Sequence, residues 1–254
     1  MTRALCLLAV LSTISGSGAV AADIQVMTGG APKEVLAVLA PKFEQRTGHK
    51  VHFTYIVIAA MQEKLAAGEK PDMVLMPVPA IEARVKDGVL RGDARAALGT
   101  IRIGMIVREG ARAPDISSLD SFKQAMLGAK SITHSNPAAT PSGAHLAKVW
   151  EQLGIADRIR PKLTLRNAID GGAALVRNGE AEIGLYPSSE VMAEKGITLV
   201  GLIPNEVQLN TVYGAAVHAA NPAPAPAMEF VKFLADPANA QAWKDGGFEP
   251  ANVR

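Results

Sequence analysis

The strongest constraint in this chain is an alternation of short apolar strands with amphipathic helical segments, and it occurs twice. Asp23 to Thr28 reads as a strand. Gly29-Gly30-Ala31-Pro32 follows, and then Val35, Leu36, Val38, Leu39 and Phe43 recur at helical spacing. Pro32 suits the first turn of that helix, where its missing N–H is not needed. Val51 to Tyr55 is a second strand, Met61 to Ala66 a short helix closed by Gly68, Met73 to Met76 a third strand and Ile81 to Val85 a third helix. A β-α-β-α-β run with short connections specifies a parallel sheet covered by helices. Right-handed crossovers place the strand C-terminal ends on one edge.

The alternation resumes after a long apolar segment, Leu98 to Val107. The second block predicts helices at Leu119 to Leu127, Ala144 to Leu153, Ile169 to Arg177 and Ser189 to Ala193. It predicts strands at Ser131 to Thr133, Lys162 to Leu165, Ile183 to Tyr186 and Ile197 to Leu202. A second long apolar segment, Leu209 to Val217, precedes two terminal helices at Met228 to Leu234 and Asn239 to Trp243. Two α/β blocks joined by two long strands predict a two-lobed α/β fold, each lobe a mostly parallel sheet flanked by helices, with the long strands as hinge. Lobe one is expected to hold residues 23–100 and 211–254, and lobe two residues 101–210. The alternative is one continuous doubly wound domain, which would have a single ligand-binding edge. In a two-lobed version two such edges face each other across a cleft.

Residues 1–22 read as a secretory signal peptide. Arg3 is the basic region, Ala4 to Ile14 the apolar stretch, and Ala19-Val20-Ala21 the small-x-small cleavage pattern. The single cysteine, Cys6, lies inside it, too early and in the wrong company for a lipid anchor. The exported protein is therefore expected in the periplasm, without disulfide, thiol nucleophile or thiolate ligand. Charge is nearly balanced, 26 Lys+Arg against 24 Asp+Glu, and only 6 Phe, 3 Tyr and 2 Trp are spread along the chain. Both argue against nucleic acid as a partner.

Catalytic motifs are missing from the pattern. There is no Gly-x-Ser-x-Gly elbow, no phosphate loop and no complete dinucleotide fingerprint after Gly29-Gly30. No two of the five histidines stand at i, i+4, and the acids, Asp120, Glu151 and Glu182 among them, read as solvated helix charge. A protein without enzymatic activity, metal or cofactor is expected. What stands out are loops that open helices: Thr28-Gly29-Gly30-Ala31, Thr140-Pro141-Ser142-Gly143 and Asn167-Ala168-Ile169-Asp170. Each reads singly as an ordinary cap. Placed together at strand C-terminal ends, their free N–H groups and helix dipoles form an anion site without a charged side chain.

Ordered marks along the chain add to this. They are Ile24-Gln25-Val26-Met27, Leu65-Ala66-Ala67-Gly68 through Pro71-Asp72-Met73-Val74, Asn136-Pro137 through Ser142-Gly143, and Ala173 to Ala181. Ile183-Gly184-Leu185-Tyr186 and the closing Phe230 to Leu234, Pro237 and Gly247-Phe248 complete them. In these the chain resembles the periplasmic molybdate-binding proteins of ABC importers, within the type II solute-binding superfamily. The resemblance implies capture of a small anion by hinge closure, a membrane permease as partner and a monomeric protein. It places ligand contacts at Thr28, Gly29, Gly30, Ala31, Ile58 and Ala59 in lobe one, and at Thr140, Ser142, Ile169 and Tyr186 in lobe two. The chain departs from that family where the ligand sits. Ala31 stands where a serine is usual, Ile56-Val57-Ile58-Ala59-Ala60 carries no hydroxyl where a second serine is usual, and Tyr186 comes one place early. The apolar run favours an organic anion, or an oxyanion held differently. A secreted hydrolase and a ligand sensor using the same cleft are the alternatives.

Overall fold

A computed structural model describes residues 21–167, 172–192 and 194–250. The signal-peptide reading and Ile169 lie outside the described residues. The chain runs β1 (Asp23–Thr28), α1 (Lys33–Thr47), β2 (Lys50–Tyr55), α2 (Ile58–Ala66), β3 (Met73–Pro77), α3 (Val78–Lys86) and β4 (Leu90–Ile101). It continues through β5 (Ile103–Arg108), α4 (Leu119–Gly128), β6 (Ile132–Ser135), α5 (Pro141–Gln152), α6 (Ala156–Ile159), β7 (Leu163–Arg166) and α7 (Gly172–Arg177). Then come β8 (Ile183–Pro187), α8 (Ser188–Val191), β9 (Ile197–Leu202), β10 (Thr211–His218), α9 (Ala225–Leu234) and α10 (Ala240–Asp245).

Two five-stranded sheets result, ordered β2-β1-β3-β10-β4 and β7-β6-β8-β5-β9. Strand β10 is antiparallel to both its neighbours, as β5 is in the other sheet. The other four strands of each sheet therefore share one direction, and each odd strand is the one that enters from the opposite lobe. Central strands β3 and β8 are buried throughout, the burial that helices on both faces impose. Edge strand β2 alternates between exposed and half-buried positions.

The crossings differ from the sequence expectation. Leu98 to Val107 is not one strand: β4 ends at Ile101 and β5 begins at Ile103, with Arg102 at the junction between sheets. Strand β4 also starts earlier, at Leu90. Its charged stretch, Arg91, Asp93 and Arg95, suits the edge of the sheet, where charge discourages pairing with another chain. The return passes from β9 through a short turn to β10, which starts at Thr211 rather than Leu209. A third strap comes from the C-terminal tail. Glu249 exchanges backbone hydrogen bonds with Thr100 at 2.8 Å each way, its carboxylate pairs with Arg102, and the Ser188 hydroxyl donates to the Gly247 carbonyl at 2.9 Å.

Each lobe has its own apolar core. Phe43, Phe230, Phe233 and Trp243 pack with Leu36, Leu39 and Leu75 on one face of the first sheet, while Met61, Val74, Met76 and Ile81 fill the other. In the second lobe Phe122, Leu146, Val149 and Trp150 cover one face and Val176, Tyr186 and Val191 the other.

Candidate functional site

The C-terminal ends of parallel strands from both sheets converge on one cavity. Gly29 and Gly30 follow β1, Ile56 and Val57 follow β2, Ser135 ends β6 and Pro187 ends β8. Ile58, Thr140, Pro141, Ser142 and Glu190 add the openings of α2, α5 and α8, and Ile101, Thr211 and Tyr213 come from the crossings. The space between these residues is about 480 Å³, including the part open to solvent.

The openings of α1 and α2 at the cavity carry no capping side chain, and that of α5 does. Helix α4, elsewhere in lobe two, has a reciprocal capping box between Ser118 and Ser121. Helices α1 and α2 begin at Pro32 and Val57 with no capping side chain. Valine is among the poorest N-caps, so the first-turn amides of α2 keep their hydrogen-bonding capacity. The amides of Gly30 and Ala31 likewise have no partner among the described residues. On the facing lobe, Thr140 accepts from the Gly143 amide at 3.1 Å and lies 3.2 Å from the Ser142 hydroxyl. These are neutral donors, and among the described residues no lysine or arginine lines the cavity. The opposing wall, Ile56 to Ile58 with Ile101, is apolar.

The structure brings Gly29, Gly30, Ile58, Thr140 and Ser142 together around this space. It turns other expected contacts inward. Thr28 is fully buried, with its hydroxyl on the Gly29 carbonyl at 3.0 Å. The Ala31 methyl packs in the core of lobe one, so only its backbone can serve a ligand. Ala59 is not among the lining residues, although its amide belongs to the first turn of α2. The Tyr186 hydroxyl lies 2.7 Å from that of Thr133, which itself donates to the Thr164 carbonyl at 2.9 Å. Burial pushes the Tyr186 phenol up to about 12. It is held within lobe two, against Gly172, where a side chain would collide with its ring.

The two ionisable lining residues escaped the sequence reading. Glu190, in the first turn of α8, makes no hydrogen bond or ion pair with any described residue, and burial raises its carboxyl to about 8. Tyr213, at the start of β10, is raised too, first by burial and then by the charge of Glu190. Its hydroxyl stands 3.1 Å from where a side chain on Gly29 would begin, so a methyl there would crowd the phenol. A lone glutamate in a four-residue helix looks like solvated charge in a sequence; its half-buried place in the cavity exists only in the folded molecule.

Residues 24–249 match the model of the family described as bacterial extracellular solute-binding protein. The chain belongs to that family. As a solute-binding protein it is 24% identical to the molybdate-binding protein ModA of Escherichia coli (strain K12), over 89% of this chain and 88% of that one. The fold matches the solved periplasmic molybdate-binding protein of Azotobacter vinelandii at a TM-score of 0.74 and 18% identity, covering 89% of this chain and 98% of the other. A nearer relative corrects one expectation. This solute-binding protein is 33% identical to a protein named aconitate isomerase from Pseudomonas sp., over 89% of this chain and 87% of that one. The expected absence of catalysis does not stand beside an enzyme of that similarity. A carboxyl whose pKa is raised only by its surroundings in the fold carries no mark in the sequence. Among the described residues no helix is long and apolar enough to cross a membrane, and no cluster of three or more His, Cys, Asp or Glu could hold a metal.

Proposed function

We propose that the protein captures a small unsaturated polycarboxylate between its lobes and isomerises it by moving a proton. The observation that carries this reading is the composition of the cavity. It combines neutral donors at helix openings with an apolar Ile56-Val57-Ile58 wall and the Glu190 carboxyl, which pairs with no described residue. Free amides and hydroxyls suit carboxylate oxygens. An isoleucine wall suits the carbon skeleton that joins them and offers nothing to a bare tetrahedral oxyanion. The relative named aconitate isomerase supplies the substrate class: aconitate is an unsaturated tricarboxylate whose isomers interconvert by proton transfer. The test is a proton NMR time course of purified protein with trans-aconitate. The expected result is growth of the cis isomer's vinyl signal in proportion to protein concentration, and no growth above a protein-free control would overturn the reading.

A second reading is supported by the relatives that bind molybdate. In it the protein is periplasmic and hands an anion to the permease of an ABC importer, the lobes closing about the two crossings. The first-turn amides of α1 and α2 favour it, because they offer anion contacts with or without chemistry on the bound molecule. Capture is common to both readings; the fate of the bound anion separates them.

A further inference from the structure

We propose that Glu190 is the catalytic acid–base of the cleft, removing a proton from one carbon of the bound acid and returning one to another, with the Tyr213 phenol positioned to donate to the negative charge formed between the two steps. This rests on the isomerase reading and assigns its reacting residue.

The geometry carries the assignment. Glu190 is the one acidic side chain among the described residues lining the cavity, and no basic side chain among them lines it. Other acids are either paired, as Glu44 is with Lys50, Glu249 with Arg102 and Asp93 with Arg91, or solvent-exposed, as Glu34, Glu63 and Glu151 are. A half-buried carboxyl with no partner among the described residues opposes folding once it ionises, so its presence in a ligand cavity points to use. The ionisable groups facing it are Tyr213 from β10 and Tyr186 from β8, with Arg166 of β7 acting on Tyr186. Burial holds both phenols neutral, leaving Glu190 as the group that titrates near pH 8. A base poised near the working pH is the effective kind.

The step balances without a further reactant. Glu190 carboxylate takes the proton from the saturated carbon next to the double bond, and the C–H electron pair becomes a new double bond to the central carbon. The old π pair moves to the far carbon and takes a proton from the Glu190 acid. One C–H bond breaks, one forms, and nothing is oxidised or reduced.

The experiment tracks trans-aconitate in D2O by NMR, and aconitate binding by calorimetry, for the unaltered protein, Glu190→Gln, Glu190→Asp and Tyr213→Phe. Glu190→Gln is expected to lower kcat about a thousandfold. Its aconitate affinity at pH 7 stays within about tenfold, because the glutamate is mostly protonated there. The kcat/KM of the unaltered protein rises with pH to a plateau above about 8, and Glu190→Asp keeps part of that activity and its pH dependence. Tyr213→Phe lowers kcat by a smaller factor with little change in KM. Folding is checked independently. The Glu190 carboxyl is raised from 4.5 to about 8, so the native fold loses stability as pH climbs through that range, and Glu190→Gln should melt above the unaltered protein at pH 9. Conversion by Glu190→Gln within tenfold of the unaltered protein overturns the assignment and leaves the isomerase reading standing. Loss of aconitate binding in Glu190→Gln also overturns it, making the residue a holder of ligand. Binding without conversion by the unaltered protein overturns the isomerase reading and this assignment with it.

Discussion

Replacing Phe230 with alanine is expected to cost about 3–5 kcal/mol and to unfold lobe one ahead of lobe two. Phe230 is fully buried in α9. Its ring centroid lies 4.7 Å from Phe43 and 6.4 Å from both Phe53 and Phe233. Truncation removes the centre of an aromatic cluster gathered from α1, β2 and α9, elements too well fixed by the sheet to collapse into the space. The chain supplies a reporter for each core. Trp243 packs in lobe one, 4.9 Å from Phe248, and Trp150 in lobe two, 6.1 Å from Phe122. Urea unfolding monitored by fluorescence in Trp150→Phe and Trp243→Phe backgrounds reads the two lobes separately. The Trp243 transition should move to lower urea by most of the loss, and the Trp150 transition by much less. A shift worth under about 1 kcal/mol at Trp243 would contradict the packing.

Gly143→Ala is expected to damage both stability and ligand capture. Gly143 is buried in the first turn of α5, and a methyl there would press on the Ser135 carbonyl oxygen and lie 2.7 Å from that of Asn136. Both obstacles are backbone and cannot rotate aside, so either α5 or the loop before it must move. Overpacking of this kind costs about 1–3 kcal/mol. The displaced turn carries Thr140 and Ser142, and a misplacement near 1 Å in such donors weakens function by up to ~100-fold. Gly128→Ala is the control: at the end of α4, a methyl meets nothing within 4 Å. Thermal melts and aconitate calorimetry on the pair should separate them, and an unaltered Gly143→Ala protein would show that α5 does not pack as described.

Much of this architecture was legible because its signals are local. Strands β1, β3 and β8 are short, largely apolar runs ended by turn residues, β2 alternates polar with apolar residues, and α1 shows its buried face in Val35, Leu36, Leu39 and Phe43. The misread crossing has a physical cause. Apolar character continues through Arg102, so the pattern looks like one strand, while the switch between sheets depends on pairing with β10 on one side and β8 on the other. The first half of β4 was hidden because an edge strand tolerates Arg91, Asp93 and Arg95. At the site, the small-residue loops announced themselves through glycine, proline and hydroxyl residues at helix openings. The loss of hydroxyls between Ile56 and Ala60 was visible too, and it pointed towards a carbon-bearing ligand. The inward turn of Tyr186 onto Thr133 was not visible, since it is a contact across 53 residues. Glu190 and Tyr213 approach each other only when β10 returns to lobe one beside α8, and neither has a neighbour in sequence that would mark it.

The most direct test of the central claim is a pair of calorimetric titrations of the purified, ligand-free protein, one with aconitate and one with molybdate. A cleft that offers amides, hydroxyls and an isoleucine wall should bind aconitate at least ~100-fold more tightly than molybdate. Two missing charge-assisted hydrogen bonds at ~1.5–3 kcal/mol each account for a difference of that size. Nanomolar molybdate binding with aconitate weak or silent would contradict the account.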